Sequence, residues 1–142
     1  MASNLKISTT ARNALVDALT TLIDVGTGGG RVEIRAGAPP TNVSDASSGG
    51  SPLATLTLQD PSYAAASGGT ATVNAITPVT ASASGDAGYF RIYANGAADT
   101  AAILQGTAGE AADTPDLEFD EKSIVSGGTV TITALSITMP IQ

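Results

Sequence analysis

The chain has 142 residues, which fits one domain over 1–142. Its net charge of −7, with six basic residues, argues against nucleic acid as a partner, because contact with phosphates needs Lys and Arg. The sequence contains no Cys and no His, so disulfides and the commonest nucleophiles and general bases are excluded. Aromatic residues make up only 4%, so we expect a thin core and a homo-oligomer in which a partner surface adds stability.

The N-terminal part of the chain has no targeting or membrane signal. Met1–Thr10 lacks the basic start and apolar core of a secretory signal, and no apolar run approaches 18 residues. We therefore expect a protein made in the cytoplasm that has no membrane partner.

One segment, about 9–25, has the pattern of an α-helix. Ser8, Thr9 and Thr10 offer N-terminal caps, and Gly26 can close the C-terminus. A single apolar stripe at three- and four-residue spacing contains Ala11, Leu15, Ala18, Leu19, Leu22 and Ile23. The helix is expected to pack across a sheet face or an open end. The sequence leaves open whether it belongs to the core of its own chain or docks onto another chain.

The rest of the chain, about 31–140, alternates between short apolar–polar runs and turns rich in Gly, Ser and Pro. Such runs predict strands at Arg31–Ala36, Leu53–Gln59, a hairpin over Tyr63–Ile76, Tyr89–Ala94, Thr100–Gln105, Leu117–Phe119 and Ser126–Met139. In the last of these the apolar parity flips at Ala134 and Leu135, which predicts a bulge or bend. The fold class is therefore predicted as mainly β: an antiparallel β-sandwich or barrel of about seven or eight strands with one N-terminal α-helix.

A long loop and one strand face are the candidate contact regions. Gly37–Pro52 has almost no apolar residue except Val43, and a loop of this length is either functional or mobile. It is interpreted as an arm lying on a neighbouring subunit or as a plain surface loop. Tyr89, Arg91 and Tyr93 share one strand face, and such residues are enriched in protein interfaces. We predict these three and Val43 as protein-contact residues; packing of the strand face under a loop is the alternative.

Carboxylates supply the densest candidate for chemistry. They could bind Ca²⁺ or form a catalytic pair, but a charged, solvated strand edge explains them better. These residues are Glu110, Asp113, Asp116, Glu118, Asp120 and Glu121. The glycine-rich run 26–30 follows a helix and lacks the GK[ST] ending of a phosphate-binding loop. We therefore predict no catalytic, cofactor or metal site, and a protein that is not an enzyme.

Four motifs resemble a group of small tailed-bacteriophage virion structural proteins of the capsid decoration or cement type. They are LATLTLQDP (53–61), GYFRIY (88–93), LQGTAG (104–109) and SGGTVTITALSITMP (126–140). The resemblance implies a phage cement protein that binds the outer capsid lattice, stabilises the head and lies on the capsid exterior. Its partner would be the major capsid protein, contacted through the loop and the Met1–Ser8 segment, and a homotrimer is the expected oligomer. No residue-level site comes with the resemblance.

Three other roles stay open from the sequence. A tail or neck component is the alternative within the same group of virion proteins. A carbohydrate-binding β-sandwich is the alternative from a different class, although the chain has no Trp for stacking on a sugar. A hydrolase that uses Glu118 and Asp120 ranks last.

Overall fold

A computed structural model describes residues 6–119 and 121–141 and places most of the regular structure in short strands. One helix, α1, spans Thr9–Ile23, and single 3₁₀ turns occur at Asp99–Ala101 and Ala111–Asp113. The strands are β1 Arg31–Ala36, β2 Ala54–Thr57, β3 Thr70–Thr72, β4 Val79–Thr80, β5 Gly85–Tyr93, β6 Leu104–Gly109, β7 Leu117–Glu118, β8 Ser123–Ile124, β9 Thr129–Val130 and β10 Ser136–Thr138.

The main sheet has the order β2-β1-β5-β6-β7, and β8 pairs with the start of β5. Two small sheets, β10-β3 and β4-β9, accompany it. The mainly β class with one N-terminal helix is confirmed, as a curled half-barrel with small additional sheets. Pairing is antiparallel except between β6 and β7, which run parallel. The described residues form ten strands, more than predicted, partly because the last predicted strand is divided into β9 and β10.

Alternation of side chains builds the core on one face of the main sheet. Val32 and Ile34 of β1 lie opposite Ile92 and Phe90 of β5, and all four are buried. In the C-terminal segment, Val130 and Ile132 are buried at one parity and Leu135 at the other. The parity flip predicted from the sequence is therefore present, and it falls between β9 and β10.

The returning strand of the hairpin after β5 starts later than the sequence predicts. Asn95 and Gly96 form a turn, in which the Ala97 N–H donates to Ala94 O, but the returning strand does not start at Thr100. It starts at Leu104, which pairs with Ile92. The intervening residues include the 3₁₀ turn at Asp99–Ala101, whose first residue contributes to the cluster described below.

Helix α1 begins as predicted but packs with a different face. The Ser8 hydroxyl accepts a hydrogen bond from the Ala11 N–H at 3.2 Å, which caps the helix. The buried positions are Arg12, Val16, Thr20 and Ile23. Of the predicted stripe only Ile23 is buried; Ala11, Leu15, Ala18 and Leu22 are exposed.

Hydrogen bonds explain this orientation of the helix. Loop 62–69 runs beside α1 with backbone N–H groups that need acceptors. Asn13 accepts from the Gly69 N–H and Asp17 from the Ala66 N–H, each at 2.7 Å. These polar side chains therefore turn toward the domain and leave the apolar stripe outside. No helix in the described part of the chain is long and apolar enough to cross a membrane.

Candidate protein-contact surface

The second face of the main sheet carries a cluster of polar and aromatic side chains. The register of β1 and β5 places Arg31 opposite Tyr93, Glu33 opposite Arg91, and Arg35 opposite Tyr89. Side chains of alternate residues share one face of a strand, so all six lie on the face that points away from the core. Five of them are buried, and Arg31 is partly buried. We call these residues, together with Ser47 and Asp99, the polar cluster.

Loop 37–52 covers this face of the main sheet. Arg91, with 0% of its surface accessible, donates to the backbone oxygens of Asp45 at 2.8 Å and Asn42 at 3.4 Å. It also donates to Gln105 Oε1 at 3.0 and 3.2 Å. Tyr89 and Tyr93 are likewise fully covered. Tyr89, Arg91 and Tyr93 therefore pack under a loop, which was the alternative to a contact role. No other protein can reach these three side chains while the loop stays in place.

The two tyrosine hydroxyls bind the second half of the loop. The Tyr89 hydroxyl donates to Ser48 O at 2.7 Å and accepts from the Ser48 N–H at 3.0 Å. The Tyr93 hydroxyl donates to Asp99 Oδ1 at 3.1 Å. Asp99 also accepts from the Ser47 N–H at 2.7 Å and from the Ser47 hydroxyl. The loop is thus fixed by side-chain hydrogen bonds to its backbone, without strand pairing of its own.

Charges of both signs are combined within the cluster. Glu33 accepts from Arg31 Nε at 2.9 Å and from Arg35 Nη2 at 2.8 Å. The Arg31 guanidinium also lies 4.2 Å from the centre of the Tyr93 ring, a cation–π contact. Half of the six basic residues of this acidic chain, namely Arg31, Arg35 and Arg91, therefore lie in this one cluster.

Asp99 is the cluster residue whose acidity changes most. Its hydrogen bonds from the Ser47 side chain and backbone, together with those from Tyr93 and the charge of Arg35, lower the pKa of the carboxyl to about 2. Each of these contacts favours the ionised form, whereas burial opposes it. The carboxylate is therefore mostly charged at any pH above that value, and it continues to accept the hydrogen bonds from Ser47 of the loop.

Close backbone approaches fix both ends of the loop. A Cβ atom at Gly88 of β5 would lie 2.0 Å from Gly37 O, and one at Gly49 would lie 2.1 Å from Ala36 O. Gly49 also has a backbone φ of +77°, which residues other than glycine rarely adopt. The loop therefore leaves the sheet and returns to it at positions where only glycine fits.

The outward side of the loop is exposed to solvent. Val43 is half-buried, whereas Ala38, Thr41, Asn42, Ser44, Asp45 and Ala46 are exposed. We call this the loop surface. The contact role predicted for Val43 stays a prediction, and so does that of Met1–Ser8, because residues 1–5 lie outside the described residues.

Sequence reasoning identified Tyr89, Arg91 and Tyr93 but missed Glu33, Arg35 and Asp99. The sequence contains a signal for Glu33 and Arg35: with Arg31 they alternate with apolar residues along β1, as Tyr89, Arg91 and Tyr93 do along β5. Pairing β1 with β5 would have joined the two polar rows. Asp99 has no such pattern, because it sits in an irregular connection.

The acidic stretch behaves as a mostly solvated region. Asp116 accepts from the Thr107 N–H at 2.8 Å and from the Thr107 hydroxyl, which fastens β7 to β6. Lys122 Nζ lies 3.0 Å from Asp113, and this contact lowers the pKa of the Asp113 carboxyl. Within residues 6–119 and 121–141 no group of three or more His, Cys, Asp or Glu could hold a metal ion. Asp120 is not among the described residues.

Two depressions of the described surface lie away from the polar cluster. One, of about 470 Å³, is formed by 115–119 and 133–136 and is lined by Asp116 and Glu118; a second, of about 410 Å³, lies beside it near Ile124 and Val130.

Comparisons of the chain with protein-family models, curated proteins and solved structures find no match. The resemblance to phage virion proteins therefore depends on the sequence motifs alone.

Proposed function

We propose that this chain is a structural protein of a tailed-phage particle, a capsid cement or decoration protein that binds the major capsid protein on the outside of the head. The observation that carries the proposal is the preformed loop surface. A sixteen-residue segment without regular secondary structure is held on the main sheet by buried Arg91, Tyr89 and Tyr93. The role is binding by shape, without catalysis, cofactor or metal.

Preorganisation is the physical support for this role. Ordering a flexible backbone costs about 1–2 kcal/mol per residue. A loop that became ordered only on binding would lose this cost from its binding free energy. Here the chain's own hydrogen bonds order the loop before any partner is met. A lattice then repeats a modest contact many times, and if the protein is a homo-oligomer, simultaneous contacts raise its effective affinity further.

The alternatives gain less support from the geometry. A tail or neck protein could use the same loop surface, so position on the particle separates it from a cement protein. A carbohydrate-binding module needs exposed aromatic rings for stacking, but Tyr63, Tyr89 and Tyr93 are all buried. These are the only tyrosines of the chain, which also has no Trp.

The test is binding of purified protein to phage heads that lack it, followed by cryo-microscopy of the decorated particles. Val43→Asp should weaken binding, because it replaces the single large apolar side chain of the loop surface with a charge. Val125→Asp is the matched control: Val125 is 66% exposed and lies outside the loop, so its replacement should leave binding unchanged. Unfolding curves of both variants show whether each retains its fold.

Two results would contradict the proposal. Density for this protein confined to the tail would remove the cement role. Equal binding by the Val43 and Val125 variants would remove the loop surface as the contact.

A further inference from the structure

Helix α1 presents an apolar face to solvent. Ala11, Leu15, Ala18 and Leu22 follow one another along α1 at spacings of four, three and four residues, and Val25 comes just after the C-cap residue Asp24; all five are exposed. Leu15 is 48%, Leu22 54% and Val25 56% accessible. We call these five residues the outer helix face. They include three of the six large apolar side chains that are exposed in the described part of the chain, and a fourth, Ile7, lies just before the helix.

Charge is absent from this face. The helix and its C-cap contain three charged residues, and all three point toward their own domain. Arg12 donates to Met139 O at 3.2 Å, Asp17 accepts from the Ala66 N–H, and Asp24 accepts from the Ser62 N–H at 3.0 Å. A helix of a chain with net charge −7 thus exposes an uncharged apolar stripe. A stripe of this kind on a soluble domain marks a contact.

We propose that the outer helix face binds the outer helix face of a second copy of this chain. Alternating spacings of three and four residues form the seam along which two helices pack. Alanines at 11 and 18 leave space into which the leucines of a facing helix fit, so the face is complementary to itself. Two copies of so acidic a chain repel each other over most of their surface, and this face brings no like charges together.

The size of the face sets the expected strength. Fifteen residues make a helix about 22 Å long and about 10 Å wide, a footprint of about 220 Å². A stable interface covers about 800 Å² per partner. Self-association through the helix alone should therefore be reversible and dependent on concentration. Such a contact would align copies that are also held on a lattice, but it does not depend on the proposed capsid role.

The first test is sedimentation of the purified chain over a wide range of concentrations. The wild type should pass from monomer to oligomer, and Leu22→Lys should weaken this association about a hundredfold or more, because a charge would be buried in the seam. Lysine is a good helix former and suits a helix C-terminus, so the variant should remain folded. Val125→Lys, at an apolar position off the helix that is 66% exposed against 54% for Leu22, should associate like the wild type.

The second test uses the absence of cysteine from the chain. Ala18 lies near the middle of the helix, where two facing copies approach their symmetry axis. Ala18→Cys should form an intermolecular disulfide rapidly under mild oxidation, and Ser126→Cys, in an exposed turn, should form one slowly. A wild type that stays monomeric at all concentrations, or equal cross-linking at the two positions, would overturn the proposal. Because both tests omit phage particles, their failure would leave the loop surface untouched.

Discussion

Replacing Arg91 by Met should both destabilise the domain and release loop 37–52. The guanidinium is fully buried and supplies hydrogen bonds to three backbone oxygens, the Ser47 hydroxyl and Gln105. Methionine fills a similar volume without donors, so these acceptors lose their partners. Groups near the loop edge can regain water, whereas those beneath it cannot.

The magnitude follows from that difference. A hydrogen bond from a charged donor contributes about 1.5–3 kcal/mol, and removing one member of a buried charged set costs about 3–5 kcal/mol. With part of the loss recovered by hydration, we expect a decrease of about 3 kcal/mol in the free energy of unfolding. For a domain of this size the melting temperature should fall by about 10 °C. Arg91→Lys keeps the charge but cannot reach both Gln105 and the loop, so it should fall between Met and the wild type.

The assay is urea unfolding combined with hydrogen exchange of the loop amides. The control is Lys122→Met, which removes an exposed pair with Asp113 and should change stability little. In the Arg91→Met variant, amides of 37–52 should exchange faster than those of β1 and β2. If stability equals that of the control, or loop exchange is unchanged, then Arg91 does not hold the loop and the reasoning fails.

Two further predictions concern single side chains of the described fold. Asp99 has its pKa lowered from an unfolded value of about 3.9 to about 2, so its contribution to stability is full above about pH 4 and lost as the pH falls toward 2. Asp99→Asn should therefore be less stable than the wild type at neutral pH and show a flatter decline in acid, measured by urea unfolding at a series of pH values; parallel pH profiles would refute this. The Tyr63 hydroxyl is buried without a hydrogen-bond partner, so Tyr63→Phe should keep or raise the free energy of unfolding, whereas Tyr89→Phe should lower it by about 1 kcal/mol. A Tyr63→Phe variant that is less stable than Tyr89→Phe would contradict the assignment of these hydroxyls.

The sequence predicted elements whose side-chain pattern is decided locally. β1 was placed at Arg31–Ala36 because apolar and polar residues alternate there, and β2 because leucine and threonine do. The start of β6 could not be predicted, because Thr100–Gln105 has apolar residues at both parities and the pairing is set by contacts across the sheet. Register depends on the partner strand, which a single segment does not reveal.

The helix shows a second limit, which is physical. Periodicity assumes that the apolar side of a helix packs inward, yet the packing side of α1 is chosen by the backbone N–H groups of Ala66 and Gly69, whose acceptors are Asp17 and Asn13. An unsatisfied buried N–H costs about 1–3 kcal/mol, comparable with burial of one leucine. Turning these polar side chains toward the domain is therefore worth about as much free energy as burying a leucine there. The exposed part of the apolar stripe, which the sequence left free to face its own core or another chain, is the surface from which we infer self-association.

The two faces of the main sheet have different roles: the apolar face holds the strands together, and the polar face holds loop 37–52. The apolar face, with Val32, Ile34, Phe90 and Ile92, is enough to hold β1 against β5 in one register. An apolar second face would stabilise the domain as well or better, because buried ionic groups repay their desolvation poorly. It could not fix loop 37–52, however, since a loop without strand pairing needs donors and acceptors aimed at its backbone. The buried arginine and tyrosines therefore act on the loop, and their main consequence is a loop that is held in one conformation on the sheet.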